Sequence, residues 1–249
     1  MKQEKISVLI PAFNEEENIL LTVKETINVL NTLDKDYEVV IVDDGSHDNT
    51  YDIVKKELGQ FNDKVKIEKY TPNQGKGFAI KYGFNFVTGD YVLFLDADLD
   101  LHPSQIANFL YLMKKEKADI VMGSKRHKDS VVDYPRSRKI LSSGYYFLIK
   151  TLFGLPVKDT QTGFKLFKYE ALKTGIQKIV VKKYAFDLEL LVVLNKYGYK
   201  IVESPIYLKP TRKYVRIGIK DIFHIFWDTI AVFYRLYIKR YYGQRTMHN

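Results

Sequence analysis

The chain has 249 residues, 46% of them hydrophobic, which is ample for a sizeable core and excludes a disordered protein. It contains no cysteine, so a disulfide framework, a thiolate metal site and a cysteine nucleophile are all excluded, and a reducing, cytoplasmic setting is expected. The net charge of +9 is uneven: from residue 209 onward nine Lys and Arg stand against two Asp, and a basic tail of this kind suits nucleic acid or an anionic membrane surface.

The opening run, MKQEKISVLIPAFNEEENI, has too short an apolar stretch before Pro11, followed by acids, to act as a secretory signal. Residues 5–10, 37–42, 64–69 and 91–95 read as short strands, with helical patterns at 15–33, 48–58 and 75–87. This alternation predicts an α/β fold with a mostly parallel, doubly wound sheet and helices on both faces. The first helix is expected to begin at Asn14 or Glu15, with three acids in its first turn, where the macrodipole favours them.

In open sheets of this type, ligands gather beyond the carboxyl ends of the strands. Those ends carry Pro11-Ala12-Phe13-Asn14-Glu15, Asp43-Asp44-Gly45-Ser46 and Asp96-Ala97-Asp98, which would line one crevice. DDGSHDNT reads equally well as an acidic turn in which Asp48 or Asn49 caps a helix. NQGKGFAIKYGF lacks the spacing of a phosphate-binding loop of the nucleotide triphosphatases, so its glycines are expected to turn the chain into a helix beside the crevice, with Lys76 near phosphate as a second option.

The run YVLFLDADLDLH, residues 91–102, sets three carboxylates, Asp96, Asp98 and Asp100, at alternate positions after an apolar strand. In an extended chain they would face one side and repel one another unless a cation lay between them. Mg²⁺ or Mn²⁺ bound through carboxylates and substrate phosphates fits this pattern, as do a general acid/base pair and a buried structural ion pair. Asp100 either adds a third ligand or caps the helix expected from Pro103. His102 and His127 have no partner at metal-binding spacing and read as loop and cap residues.

Further on, residues 122–137 are polar and basic and read as a mobile loop over the site. A helix is expected at 138–153, another at 185–197 and a strand at 200–206. No segment reaches the roughly 18 uninterrupted apolar residues of a membrane span. Residues 217–242 place Lys220, Asp221, His224, Asp228, Arg235 and Lys239 on one helical stripe, with Ile, Phe, Trp, Val, Leu and Tyr filling the rest. That pattern predicts an amphipathic helix lying in the headgroup region, with RKILSSGYYFLIKTLFG as a possible second one; a dimer interface or a helix packed on the sheet is the alternative. The division expected is a catalytic domain at 1–210 and a basic membrane-interface segment at 211–249.

SVLIPAFNEEENI, VVIVDDGSHDNT, NQGKGFAIKYGF, GDYVLFLDADLD, DTQTGFKLF and YAFDLELL occur in the order and spacing of the inverting family 2 glycosyltransferases, and the resemblance covers residues 5–210. Within that family the chain most resembles the enzymes that load a sugar onto polyprenyl or dolichyl phosphate. DTQTGFKLF and AFDLELL look closer to the glucose than to the mannose type. The resemblance implies a nucleotide-binding GT-A fold and a donor such as UDP-glucose or GDP-mannose. It places Pro11, Ala12, Glu15 and Asp43 around the nucleoside, with Asp44 in support, and Asp96 and Asp98 at the metal and diphosphate. Glutamine is common at position 100 in the mannose-type enzymes, so Asp100 is a departure.

Whether a base is needed depends on the acceptor. A hydroxyl must lose a proton during attack, whereas a phosphate monoester, with a second pKa of about 6, is already mostly dianionic. The resemblance sets Arg138 and Ser142 as the acceptor-phosphate pair and puts a phosphate-binding cation at either Lys125 or Arg126. Arg212 and Arg216 fall in VRIGIK and its approach, a partial match to a late basic loop in which Lys220 replaces the expected serine. Asp187 matches an acid that serves as catalytic base in other branches, or else it orients a basic partner or caps a helix. The reading is thus metal-dependent inverting transfer of a hexose to a polyprenyl phosphate, on a protein held monotopically at the cytoplasmic face of a membrane. The alternative is a glycan or other hydroxyl acceptor. Nucleic acid is not an expected partner, since acidic strand ends sit badly beside a phosphate backbone, and the sequence carries no signal of oligomeric state.

Overall fold

A computed structural model describes residues 3–61, 63–132, 136–183, 185–209 and 219–243, with the side chains of 136–142 and 219–222 outside the description. Among the described residues seven strands form one sheet. They are β1 (Lys5–Ala12), β2 (Asp36–Asp43), β3 (Val65–Lys69), β4 (Tyr91–Phe94), β5 (Ile120–Gly123), β7 (Lys165–Lys168) and β8 (Ile201–Ser204), in the order β3-β2-β1-β4-β7-β5-β8. β6 (Val131–Val132) and β9 (Tyr207–Leu208) pair separately.

The helices are α1 (Ile19–Asn31), α2 (Thr50–Glu57), α3 (Lys76–Gly83), α4 (Ile106–Lys115), α5 (Arg136–Phe153), α6 (Tyr169–Ile176), α7 (Phe186–Lys196) and α8 (Ile219–Phe233). β1 and β2 are buried almost throughout because both sheet faces are covered, the usual condition of parallel strands. Alternate residues feed two cores. Ile6, Val8, Ile10, Val39 and Ile41 face α1, α2 and α4, while Leu9, Val40, Val42, Val92 and Phe94 face α3, α6 and α7.

The register brings the expected motifs to one edge. Ala12 pairs with Asp43 and Leu9 with Phe94, so β1, β2 and β4 end side by side. The chain moves from β1 outward to β3 and returns to β4 on the other side of β1, which makes the β1/β4 boundary a topological switch point, where a crevice opens.

The sheet is mostly parallel, as expected, with β7 running antiparallel between β4 and β5. Three expectations are corrected. Met122 and Gly123 are strand residues of β5 rather than the start of a loop. The first helix begins at Ile19 with no acid in its first turn, because residues 14–18 are occupied in a turn bound to the segment after β2. Strand geometry stops at Phe94, and Leu99 has φ +58°, so Asp96, Asp98 and Asp100 are not three residues of one extended run.

The C-terminal segment is anchored in the body of the fold. Val232, Leu236 and Tyr242 are buried in the core that α7 and β4 share, while Phe223, Phe226, Trp227, Tyr234, Tyr237 and Ile238 are exposed. The expected apolar face is therefore divided between protein and solvent. Arg235 and Tyr242 both bond Glu189 on α7, a carboxylate that also accepts from the amides of Val180 and Val181.

Candidate active site

Two loops zip together at the end of the crevice formed after β1 and β2. Asn14, with φ +55°, donates its amide to Ser46 Oγ at 2.9 Å and accepts from the His47 amide through Oδ1 at 2.9 Å. The Glu15 amide donates to Thr50 Oγ1 and the Glu16 amide to Asp48 Oδ2. Asp48 also accepts from the Thr50 amide at the start of α2, so the capping and crevice readings of DDGSHDNT both hold. Pro11, Ala12, Phe13, Glu15, Asp44, Lys76, Asp96, Ala97 and Asp98 line the resulting open cleft.

Asp43 and Asp44 have different tasks. Asp43 is fully buried; Oδ1 accepts from the Ser46 amide, and Oδ2 has an ion-pair contact with Lys69 at 3.3 Å but no hydrogen-bond partner. Asp44 is consumed by the loop that precedes α3. Its carboxylate accepts from Tyr70 Oη, Asn73 Nδ2 and the amides of Gln74 and Gly75. Asp44 thereby fixes the start of α3 and places Lys76 in the cleft.

Lys76 Nζ lies 2.5 Å from Asp96 Oδ1. Burial favours the neutral amine, but Asp96, Asp187 and Asp98 outweigh it and hold the ammonium above the ordinary lysine range. The Asp96 carboxyl responds in the opposite sense: burial pushes it up, and Lys76, aided by Lys165 and Lys125, brings it below the usual carboxylate value. Asp98 is pushed up to about 7 by burial and by the charges of Asp96 and Asp100. Its Oδ1 accepts from the Asp100 amide at 3.1 Å.

Among the described residues no three acids or histidines are grouped closely enough to hold a metal by themselves. The turn at Leu99 explains why the three carboxylates do not converge. Asp96 and Asp98 together with phosphate oxygens would supply the kind of oxygen donor set a hard divalent cation takes, and the negative charge crowded around Asp98 fits one. His102, not Asp100, caps the turn at Pro103, accepting from the Ser104 amide. His127 is likewise a loop residue, accepting from the Asp129 amide.

The other wall of the site comes from β5, β7, α5 and α7. The buried Asp159 accepts from the Lys125 amide and Thr162 Oγ1 and pairs with Lys125 Nζ at 3.5 Å. Arg126 instead reaches α5, donating to Ser143 Oγ at 3.2 Å and lying 5.1 Å above the Tyr146 ring. Arg138 and Ser142 fall within α5, but their side chains are outside the described residues, as are Arg212 and Arg216 entirely. Asp187, at the start of α7, is paired at 2.7 Å with Lys165, whose side chain is completely buried.

Sequence reasoning did not single out Asp159, Gly163 or Lys165, although all three lie in the DTQTGFKLF run it had marked. Their signal is an acid, a glycine and a lysine leading into the apolar pair Leu166-Phe167, with the lysine at the start of β7. Because β7 is antiparallel, that start lies at the carboxyl ends of β4 and β5, beside Asp96.

Solved structures with this architecture include glucosyl-3-phosphoglycerate synthase from Mycobacterium tuberculosis in complex with Mn²⁺, UDP-glucose and phosphoglyceric acid. It superposes with a TM-score of 0.68 at 20% identity, covering 93% of this chain and 79% of that one. Its complex with Mn²⁺, UDP and glucosyl-3-phosphoglycerate gives 0.67 at 19% identity, with the same coverage. The fold class is accordingly the GT-A glycosyltransferase fold, with its crevice at the β1/β4 switch point.

Residues 7–176 match the glycosyl transferase family 2 domain, and the chain belongs to that family. Among curated proteins it is 32% identical over 212 residues to dolichyl-phosphate beta-glucosyltransferase of Dictyostelium discoideum, a match covering 80% of this chain and 64% of that protein. It is also 32% identical over 219 residues to the human dolichyl-phosphate beta-glucosyltransferase, covering 80% and 66%. The match thus spans slightly less than two thirds of the length of these relatives.

Proposed function

We propose that the protein transfers glucose, with inversion, from UDP-glucose to a polyprenyl or dolichyl phosphate. The observation that carries this reading is the meeting of two unlike walls. Asp96 and Asp98 line the cleft on one side, and Lys125 and Arg126 follow β5 on the other. The dolichyl-phosphate relatives favour the lipid acceptor and glucose over mannose.

Pro11, Ala12, Glu15 and Asp43 would hold the nucleoside, with Asp44 fixing the loop that delivers Lys76 to the diphosphate. Asp96 and Asp98 would hold Mg²⁺ or Mn²⁺, which supplies Lewis-acid stabilisation of charge on the departing nucleotide. Of the two candidate cations, Arg126 lies against α5, the helix that carries Arg138 and Ser142, whereas Lys125 is paired with Asp159. Arg138, Ser142, Arg212 and Arg216 complete the proposed acceptor set.

The acceptor phosphate oxygen attacks C1 of the sugar opposite the diphosphate. The new C1–O bond forms as the bond to the diphosphate breaks, and its electron pair leaves with the nucleotide. No proton need move, since the nucleophile is already ionised. The Lys165–Asp187 pair favours this route over a hydroxyl acceptor, which would require a free base.

Among the described residues no helix is long and apolar enough to cross a membrane. The exposed aromatic side of α8 and the turn that follows suits a peripheral seat among headgroups on the cytoplasmic face, where the acceptor phosphate lies. Incubation of the protein with Mg²⁺ or Mn²⁺, a panel of nucleotide sugars and short polyprenyl phosphates, read by mass spectrometry, tests the proposal. Glucosyl phosphoprenol from UDP-glucose is the expected product. Transfer only to soluble hydroxyl acceptors would overturn the reading.

A further inference from the structure

A fully buried lysine beside the site is one that the proposed chemistry does not use. Lys165 is fully buried and Asp187 nearly so, and the ammonium donates both to Asp187 Oδ1 at 2.7 Å and to the Thr162 carbonyl. Removing either charge alone would strand the other in a poorly solvated site, a costly state. Burial lowers the Lys165 pKa, and Asp187 foremost among the opposing groups restrains that fall.

The pair stands between the two halves of the reaction. Asp187 acts electrostatically on Lys76 of the donor cleft and on Tyr145 of α5, the helix whose Ser143 binds Arg126. Lys165 in turn acts on Asp96. The charged and titratable groups that act on the pair are Lys76 from α3, Asp96 beyond β4, Asp159 from the segment before β7 and Tyr145 from α5.

We propose that Lys165 is a positioning residue that sets the acceptor class: it neutralises Asp187, so the acceptor side presents no uncompensated carboxylate to an incoming phosphate and no free base to a hydroxyl. The physical reason is that two like charges in a weakly solvated site repel strongly, and a dianionic nucleophile meeting a bare Asp187 would be excluded. This inference rests on the polyprenyl-phosphate reading. It adds that the acid of AFDLELL works as half of a neutral pair.

The test compares full-length wild type with Lys165→Met, Lys165→Arg, Asp187→Asn and the double variant Lys165→Met/Asp187→Asn, using UDP-glucose and a short polyprenyl phosphate between pH 6 and 8.5. Lys165→Met should lose about tenfold or more in acceptor efficiency, as expected for loss of a charge-assisted contact. Because a buried carboxylate without a cation is disfavoured, the deficit relative to wild type should shrink as pH falls and the carboxyl takes up a proton. Lys165→Arg should retain the wild-type pH profile.

The double variant, with both charges removed, should recover most of the loss. A double variant as defective as Lys165→Met, with no pH-dependent narrowing, would mean that Lys165 serves only to tether Thr162, and the proposal would fall. Asp187→Asn and the double variant both dead with a phosphate acceptor would make Asp187 a catalytic group and would also overturn it. If Lys165→Met does not fold, the comparison of Lys165→Arg with the double variant still decides between charge compensation and tethering. Absence of glycolipid from wild type itself would instead count against the functional reading.

Discussion

Gly163 lies so close to Asp96 that a β-carbon on it would stand 1.8 Å from Asp96 Oδ2. The constraint is one of space, since the glycine at the approach to β7 must let the carboxylate at the end of β4 keep its position. Gly163→Ala should therefore displace Asp96 while leaving the distant core untouched. Misplacement of a reacting or binding group by about 1 Å can cost on the order of a hundredfold. We expect that loss in kcat/KM with a near wild-type melting temperature; unchanged turnover would show that Asp96 tolerates another position.

Glu38 provides a pH test away from the cleft. The carboxylate is buried among Ser7 Oγ at 2.6 Å, the Thr88 amide at 2.6 Å and Lys5 Nζ at 3.1 Å. Burial alone would raise its pKa, but these donors, Ser7 first, bring it below the ordinary value of 4.5. A carboxyl depressed on folding contributes stability above its unfolded pKa and loses it as pH falls through the lower folded value. Glu38→Gln should melt earlier at neutral pH, by about 1–3 kcal/mol for the disrupted bonds, and show a flatter dependence below pH 4.5. Parallel melting curves for the two proteins across that window would refute the assignment.

Arg235 donates a hydrogen bond from Nε to Glu189 Oε1 at 3.0 Å, with Nη2 in ion-pair contact with the same oxygen at 2.9 Å, and Glu189 is completely buried. Arg235→Leu leaves that carboxylate short of its cation, and breaking a buried pair in this way typically costs about 3–5 kcal/mol. Chemical denaturation should show a loss of this order. Truncation after residue 216 removes Arg235 and Tyr242 together, and the shortened chain should aggregate rather than persist as a soluble nucleotide binder. A stable truncated protein would count against the anchoring role of the C-terminal segment.

Phe223 and Trp227 are exposed, at 61% and 55%, and their rings meet edge to face at 5.9 Å. Phe223→Glu with Trp227→Glu adds charge where no core contact is lost. Co-sedimentation with anionic liposomes should fall severalfold while stability changes by less than about 0.5 kcal/mol. Undiminished binding would move the membrane contact away from this side of α8.

The local patterns made much of this site legible. Apolar runs at β1, β2 and β4 are buried on both faces, so they announce themselves as parallel strands, and their carboxyl ends name the cleft residues Pro11, Ala12, Asp44, Asp96 and Asp98 without reference to anything distant. The resemblance in those same motifs agrees with the family the chain belongs to. The mutual placement of groups far apart in sequence was not legible. Only the insertion of β7 antiparallel between β4 and β5 brings Gly163 against Asp96 and sets Lys165 beside Asp187.

The acidic run shows the same division. Its composition was plain, but the strand ends at Phe94 and Leu99 turns the chain, so spacing that would align three carboxylates in an extended strand does not align them here. The first helix begins after the acids assigned to it because Asn14, Glu15 and Glu16 find partners at Ser46, Thr50 and Asp48. The apolar breadth of the C-terminal helix was visible in sequence, whereas the division of its face was decided by packing against α7. Periodicity records which residues avoid water; the partner that removes them from it is set by hydrogen bonds and ion pairs closed across the fold, such as the one from Arg235 to Glu189.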